Sequence, residues 1–116
     1  EYIMDKINIV ASINSDLEYN LRDSARKLLA VCSELVKNGC KPTEFGSFHN
    51  NEKIKDMLKL EDKTLVLKGF ISFSEINFVN NKDKILNILK ISKVNVIKEH
   101  KADNRIYLAI DFTNVV

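Results

Sequence analysis

The sequence has few of the residues that force turns or build covalent frameworks. Its 116 residues include three glycines, one proline, two cysteines and no tryptophan. This composition leaves no obvious flexible linker, so we expect one domain, the usual content of a chain of this length. Cys32 and Cys40 fit neither a disulfide framework nor a Cys-x-x-Cys metal pair. They are two small buried hydrophobic residues or, if the chain turns back after Cys32, a disulfide.

The sequence also lacks a large excess of charge of one sign and any long apolar run. It carries 18 basic and 16 acidic residues, and the two signs alternate in segments such as 53–56 and 61–63. That pattern is typical of a solvated mixed-charge surface, so we expect no nucleic-acid partner. No apolar run approaches the roughly 18 residues that span a bilayer, and no signal peptide is recognisable. The chain starts at Glu1, which we interpret as a piece cut from a longer protein.

Reactive groups with the spacing of a catalytic or metal site are scarce as well. His49 and His100 are the only histidines, and neither is spaced from a cysteine or another histidine as a metal ligand would be. The sequence has no glycine-rich phosphate loop and no nucleophile elbow. We therefore expect no catalytic residue, no cofactor, no metal and no enzymatic activity.

What the sequence does have is a long apolar seam that predicts a helix over 2–38. The seam alternates spacings of four and three residues for more than four heptads, which suits a coiled coil. Alternatively, only its second half is a core helix and the first half is frayed or separate. Asn38-Gly39 should end the helix, because glycine adopts the left-handed cap conformation without penalty. The seam positions are Ile3, Ile7, Val10, Asn14, Leu17, Leu21, Ser24, Leu28, Val31 and Leu35.

Downstream, the pattern predicts a short edge strand within 40–48 and one or two helical turns within 49–62. A β-rich strand is expected over 63–70. Ser72 and Glu75 have the spacing of a capping box that starts a helix. The predicted buried face of that helix comprises Ile76, Val79, Leu86 and Leu89, weakened by Asn80-Asn81.

Two further strands are predicted at the end of the chain, over 93–100 and 105–115, with a turn at 101–104. The last strand alternates, with Ile106 and Leu108 on its buried side and Tyr107 and Ala109 on its outer side, as in a half-buried antiparallel strand. The fold class is therefore α+β, in the order αββαββ. We expect a ferredoxin-like antiparallel sheet of permuted connectivity, with its helices on one face. Residues 1–24 are expected to end a coiled-coil stalk and residues 25–116 to form the domain.

The second half of the chain resembles a known family. Its pattern is a strand ending in glycine (65–70), a helix with a buried aromatic residue (74–79, continuing through 84–88) and a hairpin over 94–112. It is similar to the periplasmic-type domains of the type IV pilus proteins PilO and PilN and the type II secretion protein GspM. The resemblance implies a scaffold that acts by homo- or heterodimerisation. It also implies an extracytoplasmic location, anchored by an N-terminal transmembrane helix that this sequence lacks. The interface would comprise Ile3, Ile7, Val10, Asn14, Leu17 and Leu21.

A second resemblance provides the alternative function. Gly46-Ser47, Glu75, Asn77 and Asp111 are similar to the Gly-Ser motif and the three metal-binding carboxylates of nucleotidyltransferases. Those enzymes use paired carboxylates to hold two Mg²⁺ ions on a triphosphate. Asn77 is neutral where that family has an aspartate, so the resemblance implies a catalytically degenerate relative. Otherwise Gly46-Ser47 is a strand end and Asp111 a solvent-facing strand residue.

Overall fold

The computed structural model describes residues 15–61 and 66–115, with side chains from residue 22 onward. These residues form an α+β fold with three α-helices and four strands, which confirms the predicted class. In chain order, the elements are α1 (Ser15–Lys37), β1 (Glu44–Ser47), a 3-10 turn (Phe48–Asn50), α2 (Glu52–Leu58), β2 (Lys68–Ser74), α3 (Glu75–Ile91), β3 (Asn95–Ala102) and β4 (Arg105–Asp111). The part of the predicted long helix before Ser15 lies outside the described residues.

The four strands form one antiparallel sheet in the order β1-β2-β4-β3. Strands β2 and β4 are central and pair along their whole length, from Lys68 opposite Asp111 to Ser74 opposite Arg105. Strands β1 and β3 occupy the two edges. The pairing of β3 with β4 is interrupted between Val96 and Lys98, where the register shifts, as it does at a β-bulge.

The main core lies between one face of the sheet and helices α1 and α3. Side chains that alternate along β2 and β4 point to this face, because successive residues of a strand face opposite sides. The buried members of this core include Leu28, Val31, Leu35, Ile71, Phe73, Phe78, Ile85, Leu89, Ile106, Leu108, Ile110 and Phe112. The alternation predicted for the last strand therefore identified this face correctly.

The opposite face of the sheet carries a second, smaller core, and this corrects the prediction that the helices lie on one face only. Phe48 of the 3-10 turn and Leu58 of α2 pack there against Phe70, Tyr107 and Ala109. Tyr107 is 8% exposed and Ala109 is fully buried. Strand β4 is consequently covered on both faces rather than half-buried. Phe48 and the described part of the polar segment, 49–61, supply this cover.

Helix α1 ends as predicted. The Gly39 N–H donates to the Val36 carbonyl (3.0 Å) and the Cys40 N–H donates to the Leu35 carbonyl (2.9 Å), which is the Schellman pattern. Gly39 has φ +80, a left-handed conformation that glycine adopts readily. Leu35 and Cys40 are both fully buried, so the end of this helix is fixed against the main core.

The predicted strand 63–70 and the predicted helix start at Ser72 were both placed too early. Strand β2 runs over Lys68–Ser74, and Ser72 lies inside it, fully buried. The Ser72 hydroxyl donates to the Glu44 carbonyl (3.3 Å), so its polar group is satisfied within the sheet. The N-cap is Ser74, whose hydroxyl accepts from the Asn77 N–H (3.3 Å).

Helix α3 buries only the second half of the predicted face. Leu89 is buried as predicted and Leu86 is half-buried, whereas Ile76 and Val79 are 74% and 66% exposed. The buried residues are Phe78, Ile85, Ile88 and Leu89. Asn81 interrupts the helix with non-helical angles (φ −125, ψ 18). This confirms that Asn80-Asn81 weakens the helix. The kink rotates the first turns of α3 relative to the last, so a single helical wheel cannot predict the buried face of both halves.

Candidate docking surface

Part of the predicted coiled-coil seam is used inside the domain. Ser24, Leu28, Val31 and Leu35 are at most 4% exposed, and the three apolar residues belong to the main core. These positions are therefore not free to pair with another chain. The seam is intramolecular over this stretch, as expected if its second half is a core helix.

The predicted interface residues precede that stretch. Ile3, Ile7, Val10 and Asn14 lie outside the described residues. Leu17 and Leu21 fall within α1, but their side chains lie outside the described ones. The stalk interface therefore stays a prediction.

Large exposed apolar side chains lie mainly on the outer faces of the two long helices. Leu29 (55%) and Val36 (51%) lie two turns apart on α1, while Ile76 (74%), Val79 (66%) and Ile91 (72%) lie on α3. Single exposed apolar residues are normal on protein surfaces, and a group of them is what marks a binding surface. Sequence reasoning assigned Ile76 and Val79 to the core because their spacing fits a buried helix face.

One side of α3 overhangs the edge strand β3 and is tied to it by ion pairs. Lys101 Nζ lies 2.7 Å from Glu75 Oε2, and Lys82 Nζ lies 4.0 Å from Glu99 Oε1. By helical spacing, Val79 lies one turn after Glu75 on the same side of α3, before the kink at Asn81. We call Glu75, Val79, Lys82, Glu99 and Lys101 the β3–α3 edge surface. It combines an exposed apolar residue, two charges of each sign and an edge strand.

The other edge of the sheet is a weaker candidate. Strand β1 has only four residues and follows Pro42, which lacks a backbone donor. Arg105 Nη1 lies 3.7 Å from Glu44 Oε1, and the Asn51 side chain donates to the Ser47 carbonyl (2.7 Å). Short edge strands discourage pairing with other chains, so β3 offers the longer template.

The structure does not bring together the groups of the nucleotidyltransferase resemblance. Asp111 pairs with Lys68 at one end of the sheet, whereas Glu75 follows Ser74 at the other end of β2. Seven residues of strand separate them, a span of roughly 20 Å. Asn77 donates to the Lys41 carbonyl (3.2 Å), and Asp111 accepts from Thr113 N–H (2.9 Å) and Oγ1 (2.6 Å). Glu75 and Asp111 therefore cannot share an ion.

The remaining reactive side chains do not form a cluster. Cys32 and Cys40 are free and buried, as small hydrophobic residues would be, and burial raises the pKa of the Cys32 thiol to about 12. Thiols with raised pKa values are poor nucleophiles. His49 is exposed in the 3-10 turn, and His100 is half-buried on β3. Within residues 15–61 and 66–115, no three His, Cys, Asp or Glu side chains are placed to hold a metal ion.

A shallow cavity of about 270 Å³ lies between α1, the end of α3 and the C-terminal residues. Ala30, Val31 and Val115 line it together with Glu34 and Lys93. Its lining contains no catalytic constellation.

Comparison with known proteins adds no identity. The sequence matches no protein family model, and neither a curated protein nor a solved structure matches the chain. Among the described residues, no helix is both long enough and apolar enough to cross a membrane. The exposed surfaces of the domain are therefore the features that bear on its function.

Proposed function

We propose that this domain is a structural scaffold that acts by dimerising with a second copy or a similar subunit. The proposed assembly is a type IV pilus or secretion platform. In it, a transmembrane helix outside this sequence anchors the domain at the extracytoplasmic face of the membrane. It works without metal or cofactor and offers surfaces rather than reactive groups.

The observation that carries the proposal is the order of the sheet. The order β1-β2-β4-β3, antiparallel throughout, is the order obtained when a ferredoxin-like βαββαβ chain begins at its first helix. It supports the permuted ferredoxin-like arrangement that the resemblance to PilO, PilN and GspM implies. Helices α1 and α3 on one face of that sheet are consistent with the same arrangement. The short α2 on the opposite face is an addition to it.

The exposed surface supports docking as the activity. The largest exposed apolar side chains lie on α3 and α1, and β3 forms an edge flanked by charges of both signs. Fold alone does not determine function, so this surface adds the support for docking that the sheet order does not give.

Sedimentation equilibrium of the whole chain tests the proposal. We expect a reversible dimer that Leu17→Glu or Leu21→Glu dissociates, because a charge in a coiled-coil seam loses its apolar burial. Ser33→Glu, on an exposed position of the same helix, is the matched control and should leave the dimer intact. Circular dichroism should show that all three variants are folded. A chain that remains monomeric at every concentration contradicts this proposal.

The nucleotidyltransferase alternative has less support, because Glu75 and Asp111 lie at opposite ends of β2. A thermal-shift series with nucleoside triphosphates and Mg²⁺ separates the two functions. We expect no Mg²⁺-dependent rise in melting temperature. A rise that Asp111→Asn removes would favour the alternative.

A further inference from the structure

Strand β3 has one paired side and one side that no described strand covers. It is the last strand in the sheet order and, with eight residues, twice as long as the other edge strand, β1. Five of its residues are exposed. A long edge of this kind presents unpaired backbone N–H and C=O groups to another strand.

The regular part of β3 is the part that could accept a partner. The register shift lies between Val96 and Lys98, near the start of the strand. From Lys98 opposite Ala109 to Ala102 opposite Arg105, pairing with β4 is continuous. A bulge bends only the strand around it, so five consecutive residues, 98–102, keep the geometry that strand addition requires.

The side chains of this segment are sorted by face. Glu99 and Lys101 pair with Leu108 and Ile106, which belong to the core beneath α1 and α3, and their ion pairs to α3 agree with that side. His100 pairs with Tyr107, which belongs to the smaller core on the opposite face. Glu99 and Lys101 therefore both lie on the α3 side of the sheet, at its β3 edge.

We propose that β3 pairs antiparallel with β3 of a second copy about a two-fold axis at His100. An axis normal to the sheet keeps α3 of both copies on the same face, so a residue of β3 must be its own partner at the centre. With His100 at the centre, Glu99 of each copy lies opposite Lys101 of the other. Opposite charges placed in this way stabilise a strand pair, whereas like charges destabilise it.

The neighbouring registers are less favourable. An axis at Lys98 or at Lys101 places two lysines opposite each other, and an axis at Glu99 places two glutamates opposite each other. An axis at Ile97 lies in the bulge, and an axis at Ala102 lies at the last residue of β3, where the pairing would have to continue into the turn. Within the regular segment, the charges therefore favour the axis at His100.

Helix α3 adds an apolar contribution to this pairing. Val79 is 66% exposed and lies one helical turn after Glu75, whose ion pair with Lys101 marks the side of α3 towards β3. The two-fold axis places this side of α3 next to the same side of its partner. Val79 then loses its contact with water, and burial of apolar surface favours association.

This interface rests on the proposed function, since it supplies the self-association that the scaffold requires, but it uses a surface separate from the stalk positions Leu17 and Leu21. Variants of the stalk and variants of β3 therefore test the two interfaces separately. If Leu17→Glu leaves the dimer intact and Glu99→Lys dissociates it, the stalk is contradicted and the edge pairing stands. The reverse result keeps the stalk and overturns the edge pairing.

Charge reversal is the first test. Glu99→Lys places two like-charged pairs across the axis, so we expect the dimer dissociation constant to rise about tenfold or more. Reversal of all four charges of the β3–α3 edge surface (Glu75→Lys, Lys82→Glu, Glu99→Lys and Lys101→Glu) keeps the ion pairs within each chain and restores opposite charges across the axis. It should therefore return the constant to near its original value. Glu52→Lys, an exposed position on α2 at the other face of the sheet, is the matched control. Dimerisation of Glu99→Lys equal to that of the original chain, or no recovery in the fourfold variant, overturns the proposal.

Cross-linking is the second test and reports the register directly. A cysteine introduced by His100→Cys meets its own copy at the axis, within the Cα separation of about 7 Å that a disulfide tolerates. We expect a covalent dimer on a non-reducing gel after mild oxidation. Lys98→Cys is the control, because its two copies are offset by four residues, or about 13 Å. Equal cross-linking at both positions, or none at position 100, overturns the proposed register.

Discussion

Gly69 of β2 lies directly against the backbone of Gly46 in β1. A Cβ atom added at Gly69 would collide with the Gly46 carbonyl oxygen and would come 3.0 Å from the Ser47 Cα. These neighbours are backbone atoms, which cannot move aside as the end of a flexible side chain can. The pair of residues allows the edge strand to approach the centre of the sheet.

We therefore expect Gly69→Ala to destabilise the domain by roughly 2–3 kcal/mol, the upper part of the range for overpacking, because the clash is with backbone atoms. Urea unfolding followed by circular dichroism measures it. Gly39→Ala is the control, since a Cβ there meets nothing within 4 Å. It should cost only about 1 kcal/mol, from the left-handed backbone alone. Equal losses in the two variants would contradict the steric explanation.

The second prediction separates the two sides of α1. Leu35 is fully buried and Leu29 is 55% exposed. Leu35→Ala should lower the free energy of unfolding by about 2–5 kcal/mol, because it leaves a cavity in the main core. Leu29→Ala should change it by less than about 0.5 kcal/mol. Denaturant unfolding measured below the dimer dissociation constant tests both, and similar values would mean that the seam is not packed on its own sheet.

The sequence allowed prediction of most elements of the fold, because apolar periodicity and caps are local properties. The end of α1 at Gly39, the short edge strand before Phe48 and the weak middle of α3 at Asn81 are local in this sense. The start of α3 was misplaced, because Ser72 and Ser74 both offer a capping hydroxyl. The sheet decides between them, since Ser72 is held between β1 and β4.

The candidate surface was less predictable than the fold. Val79 has the same apolar character as the buried Phe78, and only the packing of α3 on the sheet shows which of the two faces solvent. The smaller core was missed for a similar reason. Phe48 ends the segment predicted as an edge strand, Leu58 lies in the polar segment after it, and their partners Phe70 and Tyr107 are distant in sequence. Which residues meet across a sheet depends on register, which no local pattern encodes.

The third prediction concerns the pH dependence of stability through Asp23, a carboxyl group on α1. A hydrogen bond from Arg26 Nη2 (2.8 Å) to Asp23 Oδ1, with Lys27 Nζ 3.4 Å from Oδ2, lowers the pKa of Asp23. A carboxyl group whose pKa is depressed in the folded state contributes stability above its unfolded pKa, about 3.9. That contribution is lost as the pH falls through the folded value.

Asp23→Asn should therefore lower stability at pH 7 by about 0.5 kcal/mol, the usual value for charge pairs at this helical spacing. The difference from the original chain should shrink below about pH 4. Urea unfolding at several pH values measures it. Asp83→Asn, on an exposed position of α3, is the control for the loss of a negative charge. A difference that stays constant from pH 7 to pH 3 would assign the effect to packing.

The last prediction concerns Lys93, which ends α3 with a left-handed backbone (φ 64). Its N–H donates to the Lys90 carbonyl (3.0 Å) and the Val94 N–H donates to the Leu89 carbonyl (2.9 Å), the same Schellman pattern that ends α1 at Gly39. A lysine in this conformation is strained by its Cβ, and glycine is not. Lys93→Gly should therefore stabilise the domain by up to about 1 kcal/mol, because relief of that strain exceeds the added entropy of the unfolded chain.

Lys90→Gly, three residues earlier within the helix, should destabilise it by about 1 kcal/mol. Thermal unfolding of the two variants should shift in opposite directions, and a fall in both melting temperatures would show that Lys93 makes contacts worth more than the strain it bears.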